Sequence, residues 1–460
     1  MALAGPTERS FALLMACTAL ITSDQSLLAP NLSATAAEFG FDELAKDEKL
    51  GGSLAVALFL AGAPAALLIG AAADQVASRA SLLALVLLFG AVGCGGSAVA
   101  ADFSQLWYAR ALAGVALGGA VPVCFSFIGD MFDLRERAVK SGQIGLAMTV
   151  GTLAGQSISG LMGPALGWRA PFVLISTLML LLVKVIPSAL EEPPREIVHS
   201  PLLPSSPHLK KSSSFDQIGR WSALLRIPSL WLVYLQGVPG CVPWGVVSTF
   251  LPDYLHADLG FSVHEATFIT TAFTLGGLLG THAGGQLGQA LHNSSSTSPA
   301  ILMLSAGIIG VFPMRALILY PPSSVTGCAM LCAFGGFLAT QTGPNIRAVL
   351  CNVTQSDQRG LAFAAFALAD DVGKGFGPLA IALLIRRLGR KEAFACSMLL
   401  WIPCALVCGA TAFTVKRDEA RARNGLKNRS NECLPDDSSR KHDHVDVNPP
   451  GLLRSREIQL

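Results

Sequence analysis

The sequence predicts an all-α membrane protein with twelve transmembrane helices arranged as two parallel six-helix repeats. Three observations carry that prediction. The 460 residues are 52% hydrophobic and only 14% charged, with mean hydropathy +0.52. A soluble domain carries about 25% charged residues, so the polar surface is too small for a water-exposed globule. Twelve apolar runs each approach the roughly 20 residues that a membrane-crossing helix needs. Finally, the chain resembles itself at one constant offset of 222 residues.

The runs fall at about 11–31, 51–73, 80–100, 105–129, 141–165 and 171–190, then 227–255, 265–289, 299–320, 325–347, 361–385 and 392–415. The first follows Arg9, contains Asp24 and has no small-residue cleavage site behind it, so it reads as a retained span, not a signal peptide. Span 4 carries Arg110. Span 5 carries Gly151, Gly155, Gly160 and Gly163, which let it approach a neighbour closely. Span 7 holds Gly237, Pro239, Gly240, Pro243 and Gly245, a run that cannot stay an ideal helix because each proline removes a backbone bond. Span 11 carries Asp370, Asp371 and Lys374 near its middle.

The repeat pairs Pro30 with Pro252, Gly62 with Gly284, Gly114 with Gly336 and Pro122 with Pro344. It also pairs Arg137 with Arg359, Gly151 with Gly373, Gly155 with Gly377, Gly167 with Gly389 and Phe172 with Phe394. Six spans return the chain to its starting side, so both copies run in the same direction. Residues 1–190 form the first bundle and 227–415 the second. The stretch 191–226, with five prolines and the Ser212–Ser214 run, reads as a cytoplasmic linker. Residues 416–460 read as a disordered cytoplasmic tail, either merely solubilising or with a first part, to Arg429, that can touch anionic lipid.

With both termini inside, 22 of the 33 Lys and Arg residues fall on inner segments and seven on outer ones, the bias expected of cytoplasmic loops. Net charge is +2, so no global field argues for nucleic acid. Most of the 11 cysteines sit inside apolar runs and read as small buried hydrophobes. No Walker sequence, paired-histidine metal helix or nucleophile elbow occurs, so neither an enzyme, a metal nor a cofactor is expected. The expected partners are the bilayer and a small-molecule or lipid substrate, with the protein a monomer.

An ionisable residue inside a span costs about 2.5–3.5 kcal/mol on insertion scales and normally faces a partner or water. Asp24 and Arg110 lie at similar depth, both near the outer ends of their spans. Two readings stand for them: a pair that takes a proton or yields its arginine to an anionic substrate, or a static ion pair that fixes packing. Asp370 and Lys374 are four residues apart and can pair on one helix face. Asp371 is then left to another donor, as part of a proton relay or of a neutralised packing network. Gln236, Trp244, Gln341, Thr342 and Asn345 are the candidate cavity lining; the competing reading is interhelical hydrogen bonding for Gln341, Thr342 and Asn345, and a place at the membrane interface for Trp244.

The loop after span 2 reads Gly70-Ala-Ala-Ala-Asp74, then Gln75-Val-Ala-Ser-Arg79. It resembles the inner loop of the major facilitator superfamily, with Ala77 and Ser78 departing from that pattern. The resemblance implies the twelve-helix fold of that family, a substrate site between spans 1, 4, 7 and 10, and a latch at the inner mouth in which Gly70, Asp74 and Arg79 take part. Arg137 and Arg359 would belong to the same inner gate. Three segments resemble the spinster-like subfamily of plant and algal type: Thr22-Ser-Asp24 through Pro30, Pro239 through Pro252-Asp-Tyr254, and Gly343-Pro-Asn-Ile-Arg-Ala348 continuing to Asp370 through Pro378. That likeness implies proton-linked movement of sphingolipids or lysophospholipids by alternating access. Leu117 stands where such relatives carry a glutamate, which would leave coupling to Asp24 or leave it absent. A carrier of a small polar organic solute and a transporter-like receptor that no longer cycles are the alternative functions.

Overall fold

The computed structural model describes residues 6–73, 76–132, 134–192, 224, 226–354 and 358–432. The connector at 193–223 and the tail beyond 432 lie outside the described residues. The first half comprises α1 (Pro6–Asp24), α2 (Leu32–Glu38), α3 (Leu54–Ala73), α4 (Arg79–Val99), α5 (Phe103–Met131), α6 (Leu134–Leu166) and α7 (Ala170–Ala189). The second comprises α8 (Pro228–Leu235), α9 (Gly237–Ala257), α10 (Val263–Ser294), α11 (Ser298–Leu319), α12 (Val325–Thr340), α13 (Thr342–Val353), α14 (Arg359–Leu388), α15 (Arg390–Met398), α16 (Trp401–Ala410) and α17 (Val415–Glu432).

Among the described residues, ten helical stretches are long and apolar enough to cross a membrane. Helices α10 and α14, with 32 and 30 residues, have the length but a more polar composition. They occupy the places of spans 8 and 11.

Several spans are broken where the sequence reads as continuous. Span 1 leaves the α-helix at Asp24 and resumes, after a 3-10 turn at Ala29–Asn31, as α2. Span 7 breaks at Gln236 between α8 and α9, so Pro239 and Pro243 lie within the first turns of α9 and the interruption falls just ahead of them. Span 10 breaks at Gln341, ahead of Pro344. In α9 and α13 the early proline lacks the N–H a longer preceding helix would require.

The 222-residue repeat reappears as geometry. A Cβ on Gly151 would collide with the Ala19 carbonyl, and one on Gly373 would lie 2.8 Å from the Cβ of Cys241, the counterpart of Ala19. Gly62 of α3 and Gly118 of α5 meet backbone to backbone, as Gly284 of α10 meets Gln341 at the span 10 break. Gly167 and Gly389 close the fifth and eleventh spans with φ of 85° and 79°, a left-handed conformation that only glycine adopts without strain.

Each half has its own apolar core. Leu14, Cys17, Leu83, Phe127 and Phe172 lie in the first. The second, around Phe250, Phe273 and Phe394, extends across the outer end to Leu32, Leu50 and Leu54 of the first half. The bundles thus share apolar packing on the outer side.

The start of the tail differs from the expected disorder. Residues 415–432 form α17, whose Val415, Asp418, Glu419 and Ala422 are buried. Asp418 accepts hydrogen bonds from the backbone and hydroxyl of Ser229 at the start of α8, at 3.0 and 2.8 Å. Asn352 donates to Glu419 at 3.0 Å. Asp418 thereby satisfies a free N–H at the start of α8, and the two contacts give this charged segment a docking site that composition alone does not reveal.

Candidate functional site

Asp24, at the end of α1, and Arg110, within α5, do meet. The guanidinium grips the carboxylate with both terminal nitrogens, at 3.0 and 3.1 Å. Arg110 also donates to Ser97 Oγ at 2.9 Å and to the Gly93 carbonyl at 3.3 Å, and it lies over the Phe172 ring. Asp24 is 3% exposed and Arg110 4%. The pair is therefore enclosed by α1, α4, α5 and α7, inside the first half, and its hydrogen-bonding capacity is largely used there.

In the second half, Lys374 lies 3.8 Å from Asp371, three residues back, and not against Asp370 as the helical spacing suggested. The reason is local. Gly237, at the span 7 break, has no side chain, and Asp370 fills that space: a Cβ on Gly237 would lie 2.9 Å from Asp370 Oδ1. Lys374 and Asp371 are half-buried, at 36% and 27% side-chain exposure. Gly375, one turn beyond Asp371 on the same helical face, packs against Phe59 and Ala55 of α3. Asp371 therefore sits one turn inward of the point where α14 touches the first half. Arg347 on α13 brings a further charge close enough to act on Asp370 and Lys374. Arg347 is not among the site residues expected from the sequence; its place in the Gly343–Ala348 motif was the available signal.

The candidate cavity lining divides. Gln236 is buried, donates to the Val233 carbonyl at 3.1 Å and accepts from the Cys404 thiol of α16 at 3.4 Å. Asn345 is buried and donates to the carbonyls of Gly284 and Gln341 at 2.9 and 2.8 Å. Both serve helix packing, which corrects their expected place on a cavity wall. Gln341 is buried at the break itself, while Thr342 is half-buried. Trp244 is half-buried with its ring edge-on to Phe273, centroids 4.9 Å apart.

At the inner side, Gly70 packs on Pro122, and Asp74 lies outside the described residues. Arg79, 2% exposed, donates to Asp130 at 2.5 Å, to Glu192 at 2.8 Å and to Ser126, and lies over the Phe127 ring. It therefore braces α4, α5 and the end of α7 within the first half. Burial would raise the Glu192 carboxyl, but the hydrogen bonds from Arg79 and the Ala80 N–H hold it below its ordinary range. Arg137 donates to the Phe132 carbonyl at 2.8 Å, and Arg359 is exposed.

The strongest cross-half site is one the sequence reading missed. At the outer end, Asp253 of α9 accepts from the Ser33 N–H and hydroxyl at 3.0 and 2.5 Å, from Lys46 at 3.0 Å and from Arg390 at 2.6 Å. Arg390 also binds Asp258 and faces Asp47 at 3.2 Å, while Arg386 pairs with Glu48. Burial pushes the Asp258 carboxyl up, with Arg390 pulling against it. Lys46 is 1% exposed although it stands in a short polar stretch. Deeper in, Gln156 donates to Thr270 at 2.7 Å, and Gly160 packs on Thr267, joining α6 to α10. Among the described residues, the inner ion pairs (Lys140 with Glu8, Arg79 with Asp130 and Glu192) remain within one half.

The sequence matches the profile of the Major Facilitator Superfamily over residues 14–378, with a second match over 240–435. The chain belongs to that superfamily. It is 25% identical over 393 residues to a putative metabolite transport protein of Haemophilus influenzae, covering 81% of this chain and 88% of that one. It is 26% identical over 284 residues to the 4-hydroxybenzoate transporter PcaK of Pseudomonas putida, covering 56% and 60%. In fold it is similar to a bacterial homologue of the human lysosomal transporter Spinster in an inward-facing, unoccupied conformation: TM-score 0.76, 18% identity, 90% of this chain and 98% of that one covered. A D-xylose–proton symporter follows at TM-score 0.67 and 15% identity, covering 87% and 96%. This superfamily member is a multi-pass integral membrane protein and a secondary transporter of small solutes, not an enzyme.

Proposed function

We propose that the protein carries an amphipathic organic anion, of the lysolipid or sphingolipid class, by alternating access, as a monomer with both termini in the cytoplasm. One observation carries the alternating-access reading: the two halves are joined by ion pairs at the outer end, whereas among the described residues the inner ion pairs each stay within a half. That is the arrangement of a rocker closed outward and open inward around a site at mid-membrane. Lys374 and Arg347 supply two cations at the apex of the inward opening, and Trp244 on α9 offers apolar surface to a tail, a combination suited to a headgroup with a tail. Asp370 and Asp371 beside them are the carboxyls available for proton coupling. Asp24 and Arg110 act as an internal switch of the first half, since protonating Asp24 would release the arginine.

The PcaK likeness favours a second reading, in which the cargo is a small aromatic or polar organic acid. Uptake of labelled lysolipids and aromatic acids into proteoliposomes, with and without a pH gradient, separates the two. Lys374→Ala is expected to raise the KM for an anionic substrate about tenfold, equivalent to about 1.4 kcal/mol, and to leave a neutral one unchanged. Arg110→Ala is expected to abolish uptake, and full transport by that variant would remove the pair from the switch role. Absence of uptake for every solute, with folded protein, would favour a receptor that does not cycle.

A further inference from the structure

The outer clamp contains more carboxylates than its cations can satisfy. Lys46 and Arg390 face Asp47, Asp253, Asp258 and Glu43. Arg390 gives its terminal nitrogens to Asp253 and Asp258. Lys46 gives its protons to Asp253, Glu43 and Ser33. Arg386 of α14 is engaged by Glu48, and Lys49 lies over the Phe41 ring. Asp47 is 1% exposed, and neither of its carboxyl oxygens receives a hydrogen bond. Arg390 Nε stands 3.2 Å away but is also without a hydrogen-bond partner, so the two groups are misaligned.

We propose that Asp47 is a protonation site of the outer gate, neutral when the gate is shut and ionised when it is open. A buried carboxylate with no donor is costly and takes a proton instead. When the halves part, Asp47 leaves both Arg390 and Asp253 and gains water; hydration of its carboxylate outweighs the loss of the misaligned arginine, so its proton leaves. Below it, Gly51 packs on Phe250 and Gly52 on Leu379, an apolar plug between the clamp and the inner opening. The proton therefore enters and leaves from the outer medium, protonating the carboxylate with no other bond changed. It sets the gate's resting position and is not carried through. This inference rests on the alternating-access reading.

For a single proton bound more tightly in the shut state, the shut-to-open ratio rises up to tenfold per unit fall in outer pH. The test places spin labels at the exposed outer positions Ala101 and Ser323 of the full chain, in a cysteine-depleted background in nanodiscs. Distances are then measured from pH 8 to 5, and again with added substrate. The unmutated gate is expected to shift toward the short distance as pH falls. Asp47→Asn should hold the short distance at every pH, and Asp47→Glu and Asp258→Asn should keep the pH response. A gate that moves with substrate but ignores pH, or an Asn variant with the unmutated profile, overturns the inference and spares alternating access. A distance that never moves overturns both.

Discussion

The outer and inner ends of this molecule use the same residue types to opposite ends. At the outer end, Asp253 binds Lys46 and Ser33, and Arg390 faces Asp47 and Glu43, across the boundary between halves. At the inner end, Arg79 is just as buried, yet it gathers Asp130, Glu192 and Ser126 from its own half. A buried arginine therefore does not by itself mark a gate. What marks one is whether its partners move with it or away from it. An ion pair confined to one body acts on the equilibrium between two arrangements of the bodies only by changing the shape of its own body.

The largest effect is expected at Arg390. Arg390→Ala removes the cation that faces Asp47 and Glu43 across the boundary, and it strips Asp258 of its ion pair and leaves Asp253 with Lys46 alone. Removing one partner of a buried pair costs about 3–5 kcal/mol, enough to shift the shut-to-open ratio more than a hundredfold. Distance measurements across the outer face should report an open population, and an unchanged distribution would break the comparison. Next come the paired glycines. Gly151→Ala and Gly373→Ala each force a Cβ into a neighbouring helix, at a cost of about 1–3 kcal/mol. Both are expected to lower the thermal midpoint by similar amounts, and unequal losses would show that the two crossings are not equivalent in energy.

The smallest effect belongs to the inner brace. Glu192 is held below its ordinary range by Arg79, so it stabilises the folded state above its unfolded titration range and loses that contribution as pH falls through its lowered value. Partial exposure screens the term, so the loss is expected to be under about 1 kcal/mol. Thermal melts at acid and neutral pH should show a steeper decline for the unmutated protein than for Glu192→Gln, while outer-face distances stay the same in both. A shift of those distances in Glu192→Gln would mean that the inner brace also gates.

Much of the fold was legible in the sequence because its causes are local or periodic. Apolar runs of bilayer length, prolines near the breaks and glycines at one offset leave marks that need no partner to be read. The Asp24–Arg110 contact was legible too, since two charges at equal depth in apolar spans have few places to go. The outer clamp was not. Lys46 stands in a polar stretch before span 2 and Arg390 in a basic run before span 12, and nothing nearby in sequence says that either is buried. Asp370 shows the same limit at shorter range: its helical spacing offered Lys374, but the space beside Gly237 took its side chain.

By itself the sequence determined that this chain crosses a membrane in two like-built halves, and it brought forward most of the charged residues that lie within the spans. Hydrophobic length and backbone sterics act along the chain, so a one-dimensional pattern records them. Only the tertiary structure decided which charges face across the halves and which are spent within one. That depends on distances between segments remote in the chain, where a shift of a few ångströms turns a solvated lysine into a buried gate residue.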